Sequence, residues 1–185
     1  MHNYNLFLAE NQTLETERLK LRPVTLRDAE DMFEYASDRN NTYYVFEAHE
    51  TIDDTRYSIA NFFMATPFGK YGIELKDEQK LIGTIDLRVD AEKFSGELGY
   101  ALNNKYQKNG YMTEAAEALL RLSFETLELE KIYAQCNKKN FASEAVMKRL
   151  GMKKEAELRH YMLWKNGEWI DHLQYSILRE EYKKK

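Results

Sequence analysis

Residues 113–130, TEAAEALLRLSFETLELE, carry the strongest helix signal in the chain, and segments that alternate like strands lie on either side of them. Ala115, Leu119 and Leu122 recur on one side of this helix with Leu120, Phe124 and Leu127 beside them, so a broad apolar stripe has to be buried. The flanking runs SGELGYALN and KIYAQCN have the two-residue period of half-buried strands. An amphipathic helix held between two strands in so short a span points to a sheet with helices packed on it.

The rest of the chain extends this pattern. RLKLRPV alternates Leu19 and Leu21 with charged neighbours and reads as a strand ending near Pro23. In TLRDAEDMFEYASD, Thr25 is a good N-cap and Leu26, Ala29, Met32, Phe33 and Ala36 form a helical stripe. DDTRYSIANFFMAT predicts a second helix that stops before Pro67. KYGIELK and KLIGTIDLRV flank the turn-like DEQ as an antiparallel hairpin, NFASEAVMKRLG is a helix closed by Gly151, and the last two strands surround KNG. The order is strand, helix, helix, three strands, helix, strand, helix, two strands. A mixed α/β sheet with helices on both faces satisfies it, in a single domain over residues 1–185. Residues 1–14 lack clear periodicity and read as a loose N-terminal arm, and the C-terminal KKK as a solvated end.

Composition removes several functional classes. A net charge of −4 argues against a nucleic-acid partner, which usually calls for a basic face. Cys136 is the sole cysteine and lies in the apolar-alternating KIYAQC, so neither a disulfide framework nor a cysteine metal cluster can form within the chain. His2, His49, His160 and His172 lack ligand spacing, so no metal is expected. With no apolar run near about 18 residues and no basic-then-apolar leader, the expectation is no membrane partner and a cytoplasmic location.

The transition into the central helix, NNKYQKNGYMTEAAEALL, has a strand, a short polar loop, Gly110 and then the helix. This geometry aims unpaired helix N–H groups at an anion, and a glycine permits close approach. A structural turn fits the spacing as well, since both GxGxxG and the Walker pattern are absent. Lys105 and Lys108 in this loop, with Lys138 and Lys139 in the next strand-to-helix connection, suggest a polyphosphate site. Four solvated surface lysines remain the other reading.

YQKNGYMTEAAEALL resembles the acetyl-coenzyme A motif of the GNAT superfamily of N-acetyltransferases, Q/R-x-x-G-x-G/A. Gln107 and Gly110 match it, and Met112 departs from its small last residue. The segments ETERLKLRPVTLRDAEDMFEYASD, LIGTIDL, GELGYAL, NKKNFASEAVMKRLGM and NGEWIDHLQYSILREEY resemble the RimJ/RimL-type branch, which acts on ribosomal proteins, in order over roughly residues 15–182. The resemblance implies a mostly antiparallel twisted sheet with a splayed central strand pair. It also implies acetyl-CoA as co-substrate with no metal, a soluble amine-bearing acceptor, and allows a homodimer.

Carried over residue by residue, the resemblance places the cofactor pyrophosphate against the backbone amides of Gln107, Lys108, Asn109, Gly110, Tyr111, Met112 and Thr113. The pantetheine arm pairs with the splayed strand at Ala101, Leu102 and Asn103. In the helix that follows, Asn140, Ser143 and Met147 share a ridge, while Ala142, Ala145, Val146 and Leu150 lie mostly on a second one assigned to the core. Asn140 and Ser143 fit a helix edge facing the cofactor; Asn140 equally fits a plain N-cap. Many GNAT enzymes place a tyrosine at the position of Met147 as general acid, and in the RimJ/RimL-type branch a serine at Ser143 takes that role. Glu97 alternates with Leu98 and Tyr100 and points away from their face, which makes it the candidate base; a strand-edge ion pair is its other reading. The acceptor region, around the first two helices and last hairpin, is acidic, with Tyr43, Tyr44, Phe46, Trp164 and Trp169 available to wall a pocket or fill core. The expected function is N-acetylation of a primary amine, with a protein N-terminus as acceptor. The alternatives are a polyamine or antibiotic acetyltransferase and a non-catalytic acyl-CoA-binding sensor.

Overall fold

The computed structural model describes residues 3–164 and 166–183. In chain order the helices are α1 (Tyr4–Glu10), α2 (Ala29–Ala36, entered through a 3-10 turn), α3 (Arg39–Thr42), α4 (Ile52–Ser58), α5 (Tyr111–Arg121), α6 (Phe141–Arg149) and α7 (Arg179–Tyr182). Both α4 and α5 run on into a π-helical turn, Ile59–Met64 and Leu122–Thr126. The strands are β1 (Leu14–Glu15), β2 (Leu19–Arg22), β3 (Lys70–Leu75), β4 (Lys80–Asp90), β5 (Ser95–Leu102), β6 (Lys131–Asn137), β7 (Lys153–Leu163) and β8 (Trp169–Leu178). They form a single eight-stranded sheet in the order β1-β2-β3-β4-β5-β6-β8-β7. Every neighbouring pair is antiparallel except β5 and β6, which α5 connects as a crossover.

Helices cover both faces, as the element order required. On one face α1, α5 and α6 pack over Leu98, Ile132, Ala134 and Ile177; on the other, Ala29, Met32, Tyr35 and Ala36 of α2 meet Ile59, Phe63, Leu81 and Ala101. The β3–β4 register shifts between Ile73 and Glu74, so Ile82 is an extra residue in β4. Alternation sends Leu81 and Ile82 to opposite cores, and the bulge reverses the parity so that Ile82 shares the larger core with Ile85 and Leu87. Beyond it Thr84, Asp86 and Arg88 fall on the α2 face, level with Glu97, Gly99 and Ala101 of β5.

Within the expected arm, residues 3–14 are folded onto the sheet. Among the described ones, Asn3 caps α1 by accepting from the Leu6 amide, Tyr4 and Leu8 are buried one turn apart in the larger core, and Leu14 pairs with Leu21. The adjacent apolar Leu6 is 53% exposed, which is why this helix shows no clean period in the sequence. Leu8→Ala is therefore expected to lower unfolding free energy by about 2–4 kcal/mol in urea titrations; an unattached arm would give no change. The core assignment in α6 also changes: Val146, Met147 and Leu150 are buried while Ala142 is exposed. Met147 fills the core while Asn140 and Ser143 stay partly exposed, so their ridge is shared between core and surface.

Candidate active site

The pairing of β5 with β6 runs from Ser95↔Lys131 to Leu98↔Ala134 and ends there, although β5 continues to Leu102 and β6 to Asn137. From Gly99 onward the β6-facing edge of β5 has no strand partner, and its backbone groups are open to an extended ligand with amides of its own. Alternation turns the backbone groups of Tyr100 and Leu102 to this edge and those of Ala101 toward β4, and the Leu102 carbonyl accepts a long 3.4 Å contact from Gln107. Asn103 is buried and turns its side chain to the protein, accepting from the Lys105 amide and donating to Glu34 of α2. Glu34 also receives Lys80 and Lys105, whose hydrogen bonds, with that of Asn103, hold its carboxyl down at about 2. The end of the splayed strand is thus anchored to α2.

The loop then rises through Gln107, Lys108 and Asn109, all exposed, to Gly110 at φ +81°. Lys108 too has a positive φ of +66°, so two left-handed residues curl the chain just before α5. Gly110 is the N-cap of α5 and offers no side-chain cap, so the Tyr111, Met112 and Thr113 amides lack a side-chain acceptor among the described residues. An eleven-residue helix with an open N-terminus and a polar loop before it is suited to an anion. The Met112 side chain is buried in the main core, so it presents only its amide to the loop. The departure from a small residue is accommodated by the core behind it.

Two arginines that the sequence reading did not single out brace this turn. Arg18 donates to the Asn109 carbonyl at 3.0 Å, pairs with Glu114 at 2.7 Å and stacks over the Tyr111 ring. Burial pushes the Glu114 carboxyl up, but hydrogen bonds from Thr16 and Arg18 outweigh it and leave the group below its usual value. Arg149 of α6 donates to Thr113 Oγ1 at 3.1 Å and ties the two helix ends together. The lysines divide differently. Lys105 is engaged by Glu34 and Lys138 by Glu157, so only Lys108 and Lys139 have no carboxylate partner among the described residues.

Across the gap, Asn140 is the N-cap of α6 and accepts from the Ser143 amide at 3.2 Å. The Ser143 hydroxyl lies 3.0 Å from Tyr100 Oη, and the same phenol reaches the Ser143 carbonyl at 3.3 Å. Burial raises the Tyr100 phenol far above its ordinary value, so it stays a neutral hydrogen-bonding group. Cys136, on the facing edge of β6, is pushed up to about 11 by burial, against the pull of Ser143. It is an unreactive thiol beside a hydroxyl pair. On the opposite face Glu97 pairs with Arg88 at 3.2 Å and takes a long 3.5 Å contact from Tyr133.

Aromatic side chains from α3 and from the β7–β8 hairpin meet near this face. Tyr43 lies edge-on to Tyr44 and 6.4 Å from Trp164, and Trp169 stacks on His160. Tyr43 and Trp169 are exposed, so neither fills the core, whereas Phe46 packs on the α2 core. Several of the acidic residues have local duties: Asp31 accepts from the Leu81 amide, Asp38 caps α3 and Asp54 caps α4. Asp171 accepts from the His160 amide within the last hairpin. Among the described residues no group of His, Cys, Asp and Glu is arranged to hold a metal, and no helix is long and apolar enough to cross a membrane.

The family described as Acetyltransferase (GNAT) domain matches residues 18–153, which contain the splay, the Gly110 turn and the start of α6 through Ser143. The chain belongs to the GNAT acetyltransferase family. As a whole, this GNAT protein is 34% identical over 169 residues to the uncharacterized N-acetyltransferase YnaD of Bacillus subtilis, covering 91% of this chain and 98% of that one. It is 28% identical over 173 residues to the ribosomal protein uS5-alanine N-acetyltransferase of Escherichia coli, covering 86% and 87%. Among solved structures, the GNAT acetyltransferase from Bacillus anthracis superposes with a TM-score of 0.83 at 32% identity, covering 91% of this chain and 99% of that one. The GNAT sheet, with its parallel β5–β6 pair, is therefore shared by relatives across nearly the whole chain.

Proposed function

We propose that this GNAT N-acetyltransferase moves an acetyl group from acetyl-CoA directly to a primary amine. The observation that carries this reading is the unpaired β5 edge running straight into the uncapped N-terminus of α5. Leu102, between Ala101 and Asn103, offers backbone partners to the pantetheine amides, and the amides of residues 108–113 offer them to the pyrophosphate, with Asn140 at the rim. Acetyl-CoA supplies an activated acyl group on a thiol leaving group. The Ser143 hydroxyl, oriented by Tyr100, stabilises the departing sulfur, and Glu97 accepts a proton from the nitrogen through water. An α-amino acceptor, with a pKa of about 7.7–8.0, needs less help than a lysine at about 10.4. The E. coli relative favours a protein N-terminus beginning with alanine as that acceptor.

The test is calorimetry with acetyl-CoA, followed by thiol release over an amine panel of an Ala-initiated peptide, spermidine and an aminoglycoside. Micromolar binding with turnover on the peptide is the expected result. Turnover on spermidine or the aminoglycoside alone assigns a small-molecule acceptor, binding with no turnover on any amine makes the protein an acyl-CoA sensor, and absence of binding ends the reading. Gly110→Val tests the cradle independently. A branched residue at φ +81° costs about 1–2 kcal/mol and tilts the loop amides, so acetyl-CoA affinity is expected to drop about tenfold.

A further inference from the structure

We infer that Asp86 receives the ammonium group of the acceptor and takes its first proton, on the sheet face opposite α5 and α6. This rests on the acetyltransferase reading above and assigns the binding point for its amine. Asp86 is registered against Gly99, the first residue of β5 beyond its pairing with β6. Its carboxylate lies directly over that glycine: a Cβ on Gly99 would come 2.7 Å from Oδ1 and 3.1 Å from the Arg88 guanidinium. A glycine at this point is what gives the carboxylate its seat at the mouth of the splay.

The seat is an expensive one. Asp86 is 9% exposed, and its Oδ2 has no hydrogen-bond partner among the described residues. Arg88 Nη1 is 3.2 Å away, near enough for an ion pair but outside hydrogen-bond geometry, and it shares its guanidinium with Glu97. Lys70, the cross-strand neighbour on β3, directs its ammonium to the Phe62 carbonyl and Thr66 hydroxyl of the α4 extension. Buried Asp28 in the same fold shows what a structural aspartate does, accepting from Arg22, from the Thr25 amide and from the Thr25 hydroxyl. A buried carboxylate oxygen without a donor calls for one, and a primary ammonium carries three. Burial raises the Asp86 carboxyl to about 6, against the pull of Arg88 and Lys70 and with a push from Glu97. That is a suitable strength for accepting a proton near neutral pH.

A primary ammonium loses two protons during acetylation, and the two carboxylates divide them. The first passes to Asp86 and leaves a neutral amine whose lone pair points through the opening between β5 and β6. The nitrogen then bonds to the acetyl carbon, the carbon–sulfur bond breaks with its electron pair on sulfur, and the nitrogen's second proton leaves toward Glu97. The sulfur takes up one proton from solvent beside Ser143, so each turnover releases one proton net, as Asp86 and Glu97 return theirs to solvent.

Asp86→Asn in the full chain tests this, with thiol-release rates on an Ala-initiated peptide and on spermidine between pH 5 and 9. We expect kcat/KM for the amine to fall about 10²-fold with acetyl-CoA affinity, by calorimetry, within twofold of the parent. The acid limb of kcat/KM, near 6 in the parent, should move to the peptide amine's own value of about 7.7–8.0. The sign of the stability effect follows from the same burial. A raised carboxyl pKa favours the fold below the ordinary carboxylate range and works against it as pH rises through 6, so the asparagine variant should melt higher than the parent above pH 6. A parent that turns over, with a variant whose kcat/KM stays within threefold and whose acid limb does not move, overturns the role of Asp86 and leaves the acetyltransferase reading intact. A parent with an acid limb already at the amine's own value overturns it without any variant. A parent that neither binds acetyl-CoA nor acetylates either amine ends both.

Discussion

Ser143→Ala is expected to lower kcat for thiol release by about 10²-fold while leaving acetyl-CoA affinity within a factor of about two. The structure explains why the loss should be chemical and not structural. Asn140 caps α6 through the Ser143 backbone amide, which alanine retains. Tyr100 keeps the Ser143 carbonyl as a partner at 3.3 Å, so its buried hydroxyl is not orphaned. Only the hydroxyl, with its 3.0 Å contact to Tyr100, is removed. Steady-state kinetics with calorimetry on the same preparation check this, and a variant whose kcat is unchanged would remove Ser143 from the reaction. The arrangement also makes sense of Met147: it is fully buried, so a phenol could not be presented from that position without emptying the core, and the local phenol comes from Tyr100 on β5.

Arg22→Met should cost about 3–5 kcal/mol of unfolding free energy, the largest loss expected from a single change outside the apolar core. Arg22 sits on β2 and donates to both oxygens of Asp28, at 2.7 and 3.0 Å, and to Glu74 of β3. The Asp28 hydrogen bond is the chief reason its pKa lies above the usual arginine value; burial opposes it and Glu74 adds to it. Removing the guanidinium leaves Asp28, 6% exposed, and Glu74 with uncompensated charge. Because Asp28 also forms the capping box that starts α2, the helix carrying Glu34 should loosen as well. Urea denaturation followed by circular dichroism gives the number, and a loss below 1 kcal/mol would show that these carboxylates find water instead.

The misreadings share one cause. Arg18 is 96 residues from Glu114, and nothing in ETERLKLR hints that its guanidinium will brace a turn at Gly110. Lys105 and Lys138 looked available for phosphate because their carboxylate partners, Glu34 and Glu157, lie on other elements. The α1 helix was hidden because its buried pair, Tyr4 and Leu8, encloses an exposed Leu6. In each instance the decisive contact is made between distant parts of the chain, and local pattern has no access to it.

Sequence alone determined what short-range chemistry governs: the alternating strands, the α5 stripe, the glycine that opens it and one mixed sheet with helices on both faces. Those follow from period, cap and backbone sterics, which a few neighbouring residues set. Strand register was decided only in three dimensions. It set where β5 and β6 part, brought Tyr100 to Ser143, and laid Asp86 over Gly99, while helix packing buried Met112 and Met147. A one-residue slip would turn the Tyr100 and Asp86 side chains to the other face, so the site depends on the packing that holds the register.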